Sequence, residues 1–225
     1  MLSAKQANRA YFHQAYLTGQ HGWASEGPSP FAMRVLKQLT RVIRGGRLLD
    51  LGCGEGRHAI AAAKLGFDVT AVDYEPLALR RAAASARAAG VRGIVFRRAD
   101  ALHLPFGKST FGVVIDYGCL HHQKKADWPI YLAGILRVLK PRGLLVLSVL
   151  SPHFRMFRGS RRLWHIAQGA YRRCFRLADL RAMFGGDFRI LKLTEERSDD
   201  GGFWQALLKR RPIAPSRRSQ QGHGQ

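Results

Sequence analysis

Residues 48–56 read LLDLGCGEG, a short apolar strand that carries Asp50 and runs directly into Gly52, Gly54 and Gly56. Glycine lets the backbone turn sharply and lets a ligand approach the main chain closely. An Ala-rich helix is predicted to follow, and the first N–H groups of a helix are free to bind a ligand. The spacing is GxGxG rather than GxGxxG, and it lacks the GK[ST] of a P-loop. We therefore expect a ligand site at this turn, and one that is not a nucleotide P-loop.

Strands and helices alternate along the chain on both sides of this motif. The predicted strands are 48–51, 68–72, 94–96, 113–115 and 144–150, and the helices between them are 58–65, 76–89 and 128–139. A turn at 141–143 precedes the fifth strand, and a helix over 177–184 and a strand pair, 188–193 and 203–208, follow it, with a polar turn over 195–202. This alternation indicates an α/β fold with a doubly wound, mostly parallel seven-stranded sheet over residues 47–211.

Residues 1–46 are expected to form a helical cap. Phe12, Tyr16 and Leu17 are expected to share the apolar face of a first helix. After a turn-rich break, a second helix is predicted over residues 31–43. Its apolar residues at helical spacing are Val35, Leu36, Leu39 and Val42.

Residues 151–176 interrupt the alternation and are expected to form a second cap element. They contain seven arginines and no acid, interleaved with Phe154, Phe157, Trp164, Tyr171 and Phe175. Arginine and aromatic side chains together suit a flat or anionic ligand. They equally suit a helix pair whose aromatics form a local core. The basic tail over 212–225 is rich in Pro, Ser, Gln and Gly, and we expect it to be disordered.

The charge of the chain is unusual for a globular protein. Its 225 residues include 37 Lys and Arg against 15 Asp and Glu, which gives a formal charge of +22 and a pI of about 11.2. Such a surface attracts phosphate-bearing partners and anionic ligands. Nucleic acid therefore stays open as a partner.

Three further acids follow predicted strands. Asp73 ends the second strand, beside the glycine turn, where a carboxylate can accept hydrogen bonds from both hydroxyls of a ribose. Asp100 follows the third strand, where it could accept a hydrogen bond from an adenine amino group. Asp116 ends the fourth strand and is followed by Tyr117.

Together these residues resemble the class I S-adenosylmethionine-dependent methyltransferases, well over residues 48–150 and more loosely to 208. The family's D-x-G-x-G-x-G motif is matched in full, and its post-helix turn lacks one glycine at Arg142. The resemblance implies a Rossmann-like sheet and S-adenosylmethionine as cofactor. The cofactor-binding residues it implies are Asp50, Gly52, Cys53, Gly54, Gly56, Asp73, Tyr74, Asp100, Ala101, Asp116 and Tyr117. Tyr11, Tyr16 and Trp23 could close over the cofactor.

His121 and His122 are the candidate catalytic residues, because they follow the fourth strand at the mouth where acceptors enter such folds. Histidine titrates near neutral pH and could accept the acceptor's proton. The alternative is that one histidine packs against a helix and the other faces solvent. We expect no metal site, because no third ligand accompanies the pair.

The acceptor is the least determined part of the function. A small organic acceptor, anionic if the arginines contact it, fits a compact cap. An RNA- or ribosome-directed enzyme fits the charge, but the chain has no Asn/Asp-Pro-Pro-Tyr/Phe motif and no separate RNA-binding domain. A cofactor-binding module without turnover is the third hypothesis, and the pattern assigns no oligomeric state.

The remaining composition favours a cytoplasmic protein. The N-terminus is polar and unlike a signal peptide, and no apolar run approaches the length of a transmembrane segment. The three cysteines form no CxxC pair, which disfavours disulfides and a Cys-based zinc site.

Overall fold

The computed structural model describes residues 4–19, 21, 27–42, 45–198 and 201–212. The helices are α1 (Ala4–Thr18), α2 (Pro30–Leu39), α3 (Arg57–Lys64), α4 (Pro76–Ala88), α5 (Trp128–Val138) and α6 (Leu177–Phe184). The strands are β1 (Arg47–Leu51), β2 (Asp68–Asp73), β3 (Val95–Arg98), β4 (Phe111–Tyr117), β5 (Leu139–Leu150), β6 (Trp164–Ala167), β7 (Ala170–Arg173), β8 (Phe188–Ser198) and β9 (Gly201–Arg210). Two 3₁₀ turns, Leu120–His122 and Lys125–Asp127, lie between β4 and α5.

Seven of these strands form one sheet in the order β3-β2-β1-β4-β5-β9-β8. The first five are parallel, and β9 pairs antiparallel with both β5 and β8. The strand order reverses between β1 and β4, and ligands of such sheets bind at the carboxyl ends of the strands beside this reversal. The predicted seven-stranded, mostly parallel α/β fold is confirmed.

Local sequence explains where the helices on the sheet begin. Pro76 starts α4 just after Glu75, whose side chain accepts a hydrogen bond from Leu77 N. Ser29 caps α2 in the same way, with Pro30 following. Both pairs combine an N-cap acceptor with a proline in the first turn, where its missing N–H is not needed. The apolar faces of α2 and α3 pack on one side of the sheet, and those of α5 and α6 on the other.

Two apolar residues of the N-terminal region lie elsewhere than expected. Tyr16 is buried, but Leu17 is 60% exposed because it lies one residue, and so about 100°, further around α1. Helix α2 ends at Leu39, where the Thr40 side chain donates to Lys37 O. Val42 therefore lies beyond the helix and is 78% exposed. Ile43, the predicted end of that helix, is outside the described residues.

The cap after β5 is a β-hairpin rather than a helix pair. Strands β6 and β7 pair antiparallel, with Trp164 opposite Arg173 and Ala167 opposite Ala170. The aromatic side chains of the segment partly stack on one another across this hairpin, as Trp164 does on Tyr171. The two-residue turn at 168–169 has positive φ at both positions, as tight hairpins require.

The predicted turns at 141–143 and 195–202 are also corrected. Arg142 has a φ of 63° within β5, and the pairing of β4 with β5 shifts register beside it, so the turn is an irregularity of the strand. Strand β8 continues to Ser198 and β9 begins at Gly201, with Glu195 opposite Trp204. The polar residues of 195–198 belong to an edge strand, where side chains on both faces can reach water.

The described part of the chain contains no helix long and apolar enough to cross a membrane. The predicted disordered tail lies outside the described residues from 213 onward, as does Trp23.

Candidate active site

Three buried carboxylates lie at the carboxyl edge of the sheet, where β1, β2 and β4 are neighbours. Asp50 is in β1, Asp73 ends β2, and Asp116 lies near the end of β4. The pKa of Asp50 is raised to about 7, mainly by burial and in smaller part by the charges of the other two acids, while Ala59 N–H and Arg57 oppose the shift. Burial likewise raises the pKa of Asp73 and of Asp116 to about 6. All three carboxyl groups therefore lose their protons closer to neutral pH than exposed acids do.

The glycine turn is fixed to the tip of β2 by Asp73. Gly54 N donates to Asp73 Oδ2 at 2.9 Å, and Glu75 N donates to Asp73 Oδ1 at the same distance. Gly52, Gly54 and Gly56 have φ of 69°, 54° and 81°, which are left-handed values that glycine adopts readily. The acid predicted to meet a ribose thus lies against the predicted cofactor turn.

The space above Gly54 is filled by α1. An ideal Cβ built on Gly54 would lie 2.8 Å from Tyr16 Oη. Any larger residue at this position would have to displace the helix or the tyrosine ring. Tyr16 was expected to close over the cofactor, and in this structure its hydroxyl contacts the central glycine of the turn.

Asp50 provides an unmatched acceptor below the same turn. Its Oδ2 is buried and has no hydrogen-bond partner among the described residues. Cys53, by contrast, has its thiol packed in the core between the sheet and α2 and α3, and burial raises the pKa of that thiol well above its usual range. Cys53 N donates to Val72 O, so the residue holds the turn onto β2.

The residues expected around the adenine are covered by α1. Lys5 Nζ lies 2.5 Å from Asp100 Oδ2, and Tyr74 Oη donates to Asn8 O at 3.3 Å. Leu102 N donates to the other oxygen of Asp100, and Ala101 between them is half-buried. A ligand that engages Asp100 would therefore compete with Lys5.

Asp116 and Tyr117, both predicted to contact the cofactor, are engaged in contacts within the protein in this structure. Asp116 Oδ1 accepts from Cys119 N and Leu120 N, and Oδ2 accepts from Tyr131 Oη at 2.6 Å. The fully buried side chain thus anchors the 3₁₀ turn after β4. Tyr117 points to the α3 side of the sheet, where its ring lies 4.6 Å from that of His58. Its hydroxyl accepts from Gln205, which leaves the side chain as a packing residue.

The 3₁₀ turn anchored by Asp116 carries both histidines, which lie beneath the cap rather than at an open mouth. His122 Nδ1 lies 2.8 Å from Tyr171 O. Since a carbonyl only accepts, Nδ1 carries the proton and Nε2 carries the lone pair. Burial lowers the pKa of His122 to about 4 and that of His121 well below its usual range. Both imidazoles are therefore neutral at pH 7.

Asn8 joins the two cap elements over this turn, and the sequence analysis did not identify it. Its Nδ2 donates to His122 O at 3.0 Å, and its Oδ1 accepts from Tyr171 N at 2.6 Å. Arg172 also donates to Tyr11 Oη at 2.8 Å, with its guanidinium over the tyrosine ring. No local pattern marks Asn8, because both of its partners are more than a hundred residues away.

These residues fit S-adenosylmethionine in their charge and in their hydrogen-bonding groups. Its sulfonium and ammonium groups are cations, which buried carboxylates attract. The unmatched Asp50 oxygen and the remaining lone pairs of Asp73 offer acceptors for polar groups, and the glycine turn allows close approach. Helix α1 would have to shift from Gly54 and Asp100 for the ligand to enter.

Comparison with known proteins finds a methyltransferase domain in this chain. Residues 48–143 match the family described as "Methyltransferase domain". The 27-O-demethylrifamycin SV methyltransferase of Amycolatopsis mediterranei is 38% identical over 138 residues, which is 60% of this chain and 50% of that protein. The ribosomal protein L11 methyltransferase of Thermus thermophilus is 37% identical over 122 residues, 52% of this chain and 48% of that protein. The chain thus spans about half the length of these curated relatives.

The fold is shared over a longer stretch. The crystal structure of the Burkholderia thailandensis 1,6-didemethyltoxoflavin-N1-methyltransferase, with 1,6-didemethyltoxoflavin and S-adenosylhomocysteine bound, superposes with a TM-score of 0.73 at 24% identity. The superposition covers 94% of this chain and 92% of that one. Residues 48–143 therefore match a methyltransferase domain, in agreement with the resemblance of the sequence to the class I S-adenosylmethionine-dependent methyltransferases.

Proposed function

We propose that the protein transfers a methyl group from S-adenosylmethionine to a small-molecule acceptor held beneath α1 and the β6–β7 hairpin. The hydrogen bond from Gly54 N to Asp73 Oδ2 carries the proposal. It places an acid at the tip of β2 against the glycine turn, where one ligand can contact both. The remaining lone pairs of Asp73 would accept the ribose hydroxyls, and Asp100 would accept from the adenine once Lys5 moves aside.

The protein's own contribution to the reaction is positioning and exclusion of water. When bound, S-adenosylmethionine supplies an electrophilic methyl group on a sulfonium. Helix α1 and the hairpin, joined through Asn8, would cover the reacting groups and hold the acceptor on the axis of attack.

His122 is the better placed of the two candidate bases. Its Nδ1–H is held by Tyr171 O, so Nε2 is the atom that would take a proton from the acceptor. Because its pKa is lowered to about 4, His122 is a weak base at neutral pH. It therefore suits an acceptor that presents a lone pair or loses its proton readily.

Two observations support a small-molecule acceptor. The cap is a two-stranded hairpin tied to α1 rather than a separate binding domain. One curated relative and one structural neighbour are named for methylating small molecules, a rifamycin and a toxoflavin precursor. A second candidate, an RNA- or ribosome-directed methyltransferase, is favoured by the +22 charge and by the relative named for ribosomal protein L11.

The proposal is tested by binding and by transfer of label. Calorimetry should detect S-adenosylhomocysteine binding to the parent, and Asp73→Ala should weaken it by about 1.5–3 kcal/mol per charged hydrogen bond lost. The exposed Asp187→Ala is the matched control. The parent is then given S-adenosylmethionine labelled in its methyl group, together with cell extract separated into small molecules, RNA and ribosomes.

With the parent, the labelled methyl group should enter the small-molecule fraction. With Asp73→Ala, that fraction should stay unlabelled. Label in RNA or ribosomal protein alone would replace the proposal with the second candidate. Binding without transfer to any fraction would favour a cofactor-binding module.

A further inference from the structure

Arg173, the last residue of β7, is buried without a counter-ion. Its side chain is 8% exposed. Among the described residues it forms no ion pair and no hydrogen bond, and its Nε is fully buried with no acceptor. Its partner is the ring of Trp128, with Arg173 Cζ 5.0 Å from the ring centroid. A ring face attracts the cation but leaves the in-plane N–H groups unmatched.

Trp128 has the same deficiency. It is the first residue of α5 and is also 8% exposed, and its Nε1 is buried with no acceptor. Its ring is held by stacking on Phe175, with centroids 4.9 Å apart and planes 22° apart. An indole N–H can only donate. Two side chains in contact therefore both present buried donors that nothing accepts.

A neighbouring tryptophan does not share this deficiency. Trp204 approaches the same Phe175, and its Nε1 donates to Phe175 O at 2.7 Å. Buried polar groups in native proteins are rarely left unpaired, so two adjacent unpaired donors indicate an absent acceptor. The pair adjoins the proposed acceptor region, because β7 packs against the 3₁₀ turn that carries His121, whose Nδ1 also lacks a partner.

We propose that Arg173 and Trp128 bind an oxyanion of the acceptor, a carboxylate or a phosphate. The inference rests on the proposed function, since it names the chemical class of that enzyme's acceptor. Arg173 Nε–H and a terminal N–H form a fork that matches two oxygens of a carboxylate or phosphate. Trp128 Nε1–H adds a third donor, and the ring keeps the guanidinium in place. The site supplies charge for recognition and takes no part in the proton transfer.

The test follows the indole N–H resonances of the full-length protein, labelled with ¹⁵N at its tryptophans and saturated with S-adenosylhomocysteine. Acetate, benzoate and inorganic phosphate are titrated at constant ionic strength, with chloride as the reference anion. The Trp128 resonance should shift saturably with carboxylates, with phosphate or with both, and the anion that binds more tightly identifies the acceptor's charged group. Trp204 is the internal control, because its N–H already has an acceptor. Trp128→Phe, which keeps the stacked ring, assigns the resonance.

Two variants separate specific binding from general charge. Arg173→Gln should weaken the anion's apparent affinity at least about tenfold, because it removes a charge-assisted pair of hydrogen bonds. Arg161→Gln, an exposed arginine of the same cap, should behave like the parent. If Arg173→Gln unfolds, Arg173→Lys keeps the charge but lacks the fork, and it should still weaken binding.

The site would be supported if the anion shifts the Trp128 resonance saturably in the parent and in Arg161→Gln, and if only the Arg173 variants lose this shift. No saturable shift in the parent, or an equal shift in the Arg173 variants, would overturn it. Both results are obtained with S-adenosylhomocysteine bound, so they leave the proposed methyl transfer intact. Failure of S-adenosylhomocysteine to bind, measured separately by calorimetry, would instead remove the proposed function.

Discussion

Tyr131 Oη donates a 2.6 Å hydrogen bond to Asp116 Oδ2, and both side chains are fully buried. The tyrosine is in α5 and the acid is in β4, so the bond fastens the helix to the strand beneath it. The other carboxylate oxygen holds the 3₁₀ turn of the two histidines. The strand-four acid is therefore a structural anchor of the candidate active site.

Tyr131→Phe should destabilise the protein by about 1–3 kcal/mol, because it leaves a buried carboxylate oxygen without its donor. Urea unfolding of the cofactor-free protein measures the change. Tyr171→Phe is the control, since Tyr171 is also a buried residue but its hydroxyl makes no hydrogen bond with any described residue. Equal stability of the two variants would mean that the Tyr131 bond contributes nothing.

Gly54→Ala should weaken S-adenosylhomocysteine binding and loosen α1, because its Cβ would lie 2.8 Å from Tyr16 Oη. Gly66→Ala is the control that introduces the same backbone strain without the contact to Tyr16. Gly66 also has positive φ, but nothing lies within 4 Å of its added Cβ. Both variants should lose about 1 kcal/mol of unfolding free energy through φ alone. Only Gly54→Ala should lose affinity for S-adenosylhomocysteine, which calorimetry of the two variants will measure. Gly54→Val should abolish binding while leaving much of the fold intact.

The stability of the cofactor-free protein should fall as the pH rises from about 5 to 7. The folded-state pKa of Asp50, raised to about 7, lies above its usual value of 3.8, so the native state holds the proton more tightly than the unfolded chain. The stabilisation is full below the usual pKa and is lost as the pH rises through the folded pKa, with a slope of up to about 1.4 kcal/mol per pH unit for one proton.

Asp50→Asn should flatten this slope, which urea unfolding across the pH range will measure. Asp73 and Asp116 act in the same direction up to their pKa of about 6, so the slope that remains between about pH 6 and 7 belongs mainly to Asp50. Asp187→Asn, at an exposed acid, is the control. A slope unchanged by Asp50→Asn would place the titrating group elsewhere.

His122→Gln should lower turnover with little change in S-adenosylhomocysteine affinity, since His122 faces the proposed acceptor rather than the glycine turn. In the parent, a base with a pKa near 4 is already unprotonated above about pH 5, so the His122 step should be independent of pH from there upward. The pH profile of turnover at saturating acceptor tests this. An inflection near pH 6.5 that vanishes in His122→Gln would contradict the lowered pKa.

The sequence was informative where a ligand turn is encoded locally. Asp50 and the three glycines belong to the end of one predicted strand, and Asp73 ends the next. Because the carboxyl ends of neighbouring parallel strands meet at one edge of the sheet, the pattern predicted that these residues lie close together. Tyr131 and Asn8 could not be found in this way. Tyr131 reads as one more apolar helix residue, and the contacts of Asn8 depend on where α1 docks.

Two parts of the fold were also mispredicted for identifiable reasons. Residues 164–173 carry mixed polar and aromatic side chains, because one face of the hairpin covers the protein and the other meets water, and no helical or strand period emerges. Residues 195–198 are charged, as a turn would be, but they continue β8 at the edge of the sheet. In both cases solvent exposure of a strand removed the apolar signal.

The bridge made by Asn8 also constrains how the chain reaches this structure. Its two partners are 114 and 163 residues further along the sequence. During synthesis, α1 leaves the ribosome before β7 and cannot complete its docking until β7 has followed. Contacts of such long sequence separation slow folding, because the intervening loop must close before they form. Phe12 and Tyr16 can pack earlier, because their neighbours Tyr74 and Gly54 precede β7 in the chain. Helix α1 therefore docks in stages, and the Asn8 bridge closes last.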